Sequence, residues 1–235
     1  MTDTRETTHR RDQGHNYKGL SIHAAPGVHE HAADLLGRYV QPGSKLLEVG
    51  AGSGALASRL TDAGFDVVAT DLEPNQSWIH PLDLDRPHDS QAAAGTFAAV
   101  VCVETIEHLE NPRAALRSMR TKLDRGGFLL LSTPNVDHPH SRLRMLLTGE
   151  PMLFGRDLYY STGHITPLPE WLLVEHLKAS GFAVSVVESA GDIGFGSKLR
   201  RAAHQVEMAF LRIVGARNHA TRGDGLCLFV VASAV

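Results

Sequence analysis

A chain of 235 residues that is 43% hydrophobic and 21% charged has the size and composition of one α/β domain with insertions, long enough to bury a sizeable core. Its 23 Lys+Arg against 26 Asp+Glu leave a formal charge of -3, which gives no global pull toward a polyanion and disfavours a dedicated nucleic-acid binder. No apolar run approaches the roughly 18 to 20 residues of a membrane span, and the polar N-terminus has no apolar signal core, so a cytoplasmic protein without a transmembrane segment is expected.

Residues 1–26 read as a flexible arm: the first twenty or so are polar, rich in His, Arg and Thr and without periodicity. Such an arm can still close over a site, through Tyr17 and His23. The domain itself is expected over 27–235. From Val28 to Val40 the residues Ala32, Leu35, Leu36 and Tyr39 recur at helical spacing, and Gln41-Pro42-Gly43 stops that helix.

Short β-rich runs then alternate with helical patterns, the mark of βαβ units and a mostly parallel sheet. Strands are predicted at 45–50, 66–71, about 78–82, 97–103, 127–133, 182–188 and 226–233, and helices near 54–63, 112–123 and 169–180. Cys102 and Cys227 lie inside two of the apolar runs and read as packed, reduced thiols. Two stretches break the alternation. Residues 135–166 hold a short helical piece, SRLRMLL, and then PMLFGRDLYYSTGHIT, a connection long enough to suggest a lid. Residues 191–225 hold an apolar stripe, Leu199, Ala202, Val206, Ala209, Phe210 and Ile213, that predicts a helix over 197–214 packed on the domain or on a second subunit of a homodimer.

The densest signal is Leu46-Leu47-Glu48-Val49-Gly50-Ala51-Gly52-Ser53-Gly54, a buried strand running into a glycine turn and then a helix. Asp71, at the end of the second strand, is placed to accept hydrogen bonds from two ribose hydroxyls. Strand, glycine turn, helix, strand and acid together point to an adenosine-containing cofactor. Ala55 stands where a dinucleotide fingerprint has its third glycine, so the turn alone leaves a nicotinamide cofactor open.

The chain resembles the class I S-adenosylmethionine (SAM) dependent methyltransferases, in the branch of ubiquinone-biosynthesis O-methyltransferases and bacterial small-molecule and sugar methyltransferases. LLEVGAGSG, VVATDLEP, LDLD, FAAVVCVETIEHLENPRAALRSMRTKLDRGGFLLLSTPN and GHITPLPEWLLVEHLKASGF carry the resemblance. It implies a Rossmann-like α/β fold, doubly wound, with a seven-stranded, mostly parallel sheet of order 3-2-1-4-5-7-6 whose last strand is antiparallel, helices on both faces, and SAM as cofactor. By position, Glu48, Gly50, Ala51, Gly52 and Gly54 should lie by the methionine part of SAM, and Asp71 should hold the ribose. Asp83, Leu84 and Leu72 should border the adenine, and Val103 and Glu104 should line the transfer site. The region after Asp71 is shorter than the pattern, with room for only a vestigial helix.

A hydroxyl acceptor benefits from a general base. His164, Tyr160 and His108 are the catalytic candidates, with Tyr159 beside them, and His164 stands out at the end of the lid. The string Glu104-Thr105-Ile106-Glu107-His108, taken as helical, puts two carboxylates and an imidazole on one face. That string resembles the metal motif of small-RNA 3′-terminal 2′-O-methyltransferases, with His164 available as a fourth ligand. The expectation adopted is that helix packing beside SAM accounts for it, with no metal, and that a small molecule is methylated on oxygen. A non-catalytic SAM-binding module is a further reading, and a nicotinamide oxidoreductase lacks a Tyr-x-x-x-Lys pair or a comparable hydride-transfer set.

Overall fold

In the computed structural model, which describes residues 16–86, 93–192 and 225–235, the alternating pattern closes into one seven-stranded sheet. Its strands are β1 (Lys45–Val49), β2 (Asp66–Asp71), β3 (His80–Pro81), β4 (Phe97–Cys102), β5 (Leu123–Pro134), β6 (Phe182–Ala190) and β7 (Cys227–Ala234), in the order β3-β2-β1-β4-β5-β7-β6. Strand β7 runs antiparallel to both β5 and β6, and the other neighbours pair in parallel. The order and the reversed strand are those that the family resemblance implies.

Each central strand is apolar on both sides because helices cover both faces. Leu47 and Val49 of β1, with Val100 and Cys102 of β4, pack toward α3 (Pro112–Thr121) and α6 (Glu170–Ala179) through Leu116, Met119, Leu173 and Leu177. The alternate residues, Leu46, Ala99 and Val101, pack toward α1 (Val28–Leu36) and α2 (Ala55–Asp62) through Leu35, Leu36, Leu56 and Leu60. At roughly 1.5–3 kcal/mol per fully buried large aliphatic side chain, these two layers supply the main driving force for the sheet. Cys102 and Cys227 are buried free thiols, as expected.

Two expectations change here. Residues 16–21 are ordered, not a loose arm: Asn16–Tyr17 and Leu20–Ser21 pair as a small hairpin. The Tyr17 hydroxyl donates to Asp62 Oδ2 at 2.5 Å, Lys18 reaches the same carboxylate at 2.6 Å, and the Ser53 hydroxyl donates to the Ser21 carbonyl at 2.6 Å. These contacts join residues more than thirty positions apart, which local periodicity cannot register. The lid stretch folds as two helices, α4 (Pro139–Thr148), which covers the expected SRLRMLL piece, and an unexpected short α5 (Arg156–Ser161). The 197–214 helix and the homodimer built on it lie outside the described residues.

Candidate functional site

The site opens at the carboxyl end of β1, where the sheet order reverses and α/β folds leave a crevice. Two glycines of the turn are required sterically. A Cβ on Gly50 (φ 72°) would sit 2.2 Å from Thr105 Oγ1, and one on Gly54 (φ 85°) would sit 2.2 Å from the Trp78 ring. Gly52 has open space where its side chain would stand. Its N–H donates to Asp71 Oδ2 at 2.7 Å, while Asp71 Oδ1 accepts from the Glu73 N–H at 3.0 Å. Asp71 therefore fixes the turn and stands half-exposed at its rim.

Behind the turn lies a cleft of about 810 Å³, lined by Glu48, Gly50, Ala51 and Gly52, by Val103, Glu104, Glu107 and His108, by Leu153 and His164 of the lid, and by His23 to Pro26 of the N-terminal segment. Three carboxylates face one cavity, and no lysine or arginine lines it among the described residues. Glu48 is buried, its Oε2 has no hydrogen-bond partner among the described residues, and burial, followed by the nearby Asp71 charge, pushes its pKa up to about 8. Glu107 Oε1 is likewise buried without a partner, and burial and then the Glu104 charge raise its carboxyl well above the usual range.

The expected helix over 104–108 is absent. Glu104, two residues past the end of β4, has a positive φ of 49°, and only Ile106–His108 forms a short 3-10 turn. The Glu104 carboxylate is clamped by the sheet, accepting from the Ser132 hydroxyl at 2.7 Å and from the Cys227 thiol at 3.2 Å. Burial raises the Glu104 carboxyl. Cys227 and Ser132, on β7 and β5, are site residues that sequence reasoning missed, since nothing in a buried apolar strand marks which side chain meets a cleft.

In place of the helical trio, Glu107, His108 and His164 converge, with one ligand-type atom from each lying within 4.8 Å of the others. His108 Nδ1 lies 3.1 Å from the Gly163 carbonyl and His164 Nδ1 lies 2.6 Å from the Leu153 carbonyl. A carbonyl only accepts, so each Nδ1 carries a hydrogen, which leaves Nε2 as the atom at which either ring can take or give a proton. Burial, and then His164, lower the His108 pKa and hold that ring neutral. The lid's end is fastened to the 3-10 turn by the Ile165 and Thr166 N–H groups, which both donate to the Glu107 carbonyl.

Other candidates are placed apart from this cleft. Tyr160 is 81% exposed on α5 and lines a second groove that shares His164 with the main cleft. Phe154 is buried and packs its ring 5.5 Å from that of His164. Of the adenine candidates, Leu72 is exposed, Leu84 belongs to the core beneath α3, and the Asp83 carboxylate accepts from the Asp85 and Arg86 N–H groups. None of the three lines the main cleft.

A methyltransferase-domain family profile matches residues 24–187, which is most of the chain and takes in β1 to β5, the lid and α6. The chain belongs to this family, the class I SAM-dependent methyltransferases. Among curated relatives, the ubiquinone biosynthesis O-methyltransferase of Xanthomonas campestris pv. campestris is 34% identical over 110 residues, 42% of this chain and 46% of that one. The protein of the same name from Chromobacterium violaceum is 31% identical over 115 residues, 43% and 50% of the two chains. The matched stretch thus spans about half the length of these relatives.

The fold is shared with a SAM-dependent methyltransferase from Archaeoglobus fulgidus, with a TM-score of 0.56 at 14% identity covering 87% of this chain and 94% of that one. It is also shared with the N-methyltransferase NodS from Bradyrhizobium japonicum in complex with S-adenosylhomocysteine, with a TM-score of 0.53 at 16% identity covering 90% and 89%. The donor set suits the cationic groups of SAM, whose methionine part carries an ammonium and a sulfonium beside its carboxylate. Glu48 offers an unpartnered buried oxygen and Gly52 an open cradle, and no lysine or arginine among the described residues lines the cleft to compete with the ammonium.

Proposed function

We propose that the chain transfers a methyl group from SAM to a hydroxyl of a small-molecule acceptor, with His164 as the proton acceptor. One observation carries the reading: His164 and His108 each hold Nδ1 on a backbone carbonyl, leaving two Nε2 atoms at which a proton can be taken or given, at a cleft whose other wall is the glycine turn and Glu48. SAM, when bound, supplies an electrophilic methyl group. The protein's part is to bind, orient and accept a proton.

Glu48 would hold the ammonium group and Asp71 the ribose hydroxyls, while Val103 and Glu104 wall the transfer site. His164 Nε2 would take the hydroxyl proton as the acceptor oxygen gains the methyl, and His108, kept neutral by burial, would hold the neighbouring ring in place edge to face at 4.8 Å between centroids. Oxygen as the methylated atom is supported by the names of the curated relatives. An assay of S-adenosylhomocysteine release across a panel of hydroxylated small molecules tests the reading. Tight SAM binding without release on any acceptor would instead favour a non-catalytic SAM-binding module.

The Asp71 assignment has its own test. Asp71→Ala removes two proposed charge-assisted hydrogen bonds of roughly 1.5–3 kcal/mol each and also frees the Gly52 N–H. SAM affinity in the folded variant should fall roughly tenfold or more. Calorimetry that finds it unchanged removes the ribose assignment.

The Glu107, His108 and His164 convergence favours one second reading, a divalent cation that activates the acceptor hydroxyl, as two imidazoles and a carboxylate suit such an ion. An RNA 3′-terminal substrate is less well served, because no lysine or arginine among the described residues lines the cleft to meet a phosphate. Turnover is expected to survive exhaustive chelation. If EDTA abolishes it and manganese or magnesium restores it, the cation reading replaces the metal-free one.

A further inference from the structure

Each glycine of the turn meets one group from elsewhere in the chain. Thr105, which follows β4, crowds Gly50, and Asp71, which ends β2, accepts the Gly52 N–H. Gly54 differs. It is the N-cap of α2, with a φ of 85° and no side-chain hydrogen bond to cap the helix, so the end of the turn lacks the usual local device that fixes a helix start. What meets it is Trp78, from the short connection between β2 and β3. The indole stands where a Gly54 side chain would begin: a Cβ there would lie 2.2 Å from Cη2 and 2.6 Å from Cζ2. We infer that Trp78 is a positioning residue for SAM: its ring braces Gly54, and through it the whole glycine turn, from outside the cleft that the turn lines.

The neighbours of Trp78 give the ring a fixed base. Ile79 is buried among Ala51, Ala57 and Ala69, and the next two residues, His80 and Pro81, pair in parallel with Thr70 and Asp71. Asp71 thus ends one strand while Trp78 leads into its neighbour, and the two reach the turn at Gly52 and at Gly54. Trp78 itself is 43% exposed, so its removal empties no buried cavity and should leave the sheet folded. The effect expected is on the turn. A turn that samples several shapes binds its ligand only in the fraction of molecules with the right one, and the apparent affinity falls by that fraction. Trp78 raises that fraction by filling the space into which Gly54 would otherwise move.

The test reads S-adenosylhomocysteine affinity by calorimetry, with the melting temperature alongside, and uses no turnover. Trp78→Ala should weaken binding roughly tenfold, while Trp78→Phe, which keeps a flat ring, should stay within about threefold of the parent. Both should melt close to the parent. A double-mutant cycle with Gly54→Ala then asks whether Trp78 acts through the turn. In the parent the new Cβ collides with the ring; in Trp78→Ala it has room. The strain of an alanine at positive φ is present in both backgrounds and cancels in the cycle. Gly54→Ala should therefore cost roughly tenfold more affinity in the parent than in Trp78→Ala.

Fully additive losses, a Trp78→Ala protein that binds like the parent, or a Trp78→Phe protein as weak as Trp78→Ala would each overturn the inference. It rests on the turn being the seat of SAM, and the two can fail separately. Additive losses in a parent that binds tightly would fault Trp78 alone. Unchanged affinity in Asp71→Ala, with the coupling between Trp78 and Gly54 still present, would remove the ribose assignment and keep Trp78 as the brace.

Discussion

His164→Ala is expected to lower acceptor turnover by roughly a hundredfold or more, the usual loss when a positioned general base is removed, while SAM affinity stays within about threefold. The separation follows from where His164 stands. It reaches the cleft from the lid, with Nδ1 on the Leu153 carbonyl, and touches neither the glycine turn nor Asp71. Its loss removes the proton acceptor and a tether of the lid, but leaves Glu48, Gly52 and Asp71 in place. Tyr160→Phe should act differently. Tyr160 faces the second groove, so its hydroxyl should influence acceptor KM more than kcat. Stopped-time assays of S-adenosylhomocysteine release, with SAM affinity measured separately, distinguish these effects. If both variants turn over acceptor like the parent, or if His164→Ala loses SAM binding and turnover together, His164 is not the proton acceptor.

Much of the fold was legible in the sequence because it rests on period and punctuation. A run such as KLLEV, followed by glycines and then a helical stripe, states a buried strand, a turn and a crossover within fifteen residues, and the same grammar recurs down the chain. The glycine turn and Asp71 were legible for a related reason: a backbone with φ above zero and a carboxylate at a strand end have few substitutes.

What escaped depends on distance along the chain. The hairpin at 16–21 is held by Asp62 and Ser53, and the Glu104 clamp by Ser132 and Cys227. None of these partners shares a local period with the residue it holds. The 104–108 segment failed for a sharper reason. Its spacing suits a helix, yet the Glu104 N–H is drawn to Ser132 on β5, and the left-handed backbone at Glu104 that accompanies this contact breaks the helical repeat. Tertiary bonding to the sheet outweighed local helical preference there, and the metal-competent set shifted from Glu104, Glu107 and His108 to Glu107, His108 and His164.

Glu48 should make the stability of the SAM-free protein fall as pH rises. Its folded pKa, about 8, lies above the ordinary value of 4.5, because burial and then the Asp71 charge oppose ionisation. Between those two pH values the folded state holds a proton that the unfolded chain has released. Unfolding then releases protons, so stability is greatest below about 4.5 as far as this group is concerned, declines through the interval, and levels off above about 8. A shift of this size corresponds to a contribution on the order of several kcal/mol at the upper end. Glu104 and Glu107, also raised by burial, add in the same direction. SAM should reverse the trend, since its ammonium favours the ionised carboxylate: affinity should climb as pH approaches 8, and saturating SAM should flatten the stability profile. Glu48→Gln keeps the shape of the side chain and removes the titration. Denaturant unfolding of the SAM-free protein across the interval should therefore show a shallower slope for Glu48→Gln than for the parent, with SAM affinity weak and nearly independent of pH in the variant. Parallel slopes for the two proteins would mean that Glu48 titrates normally and is not the buried acid that receives the ammonium.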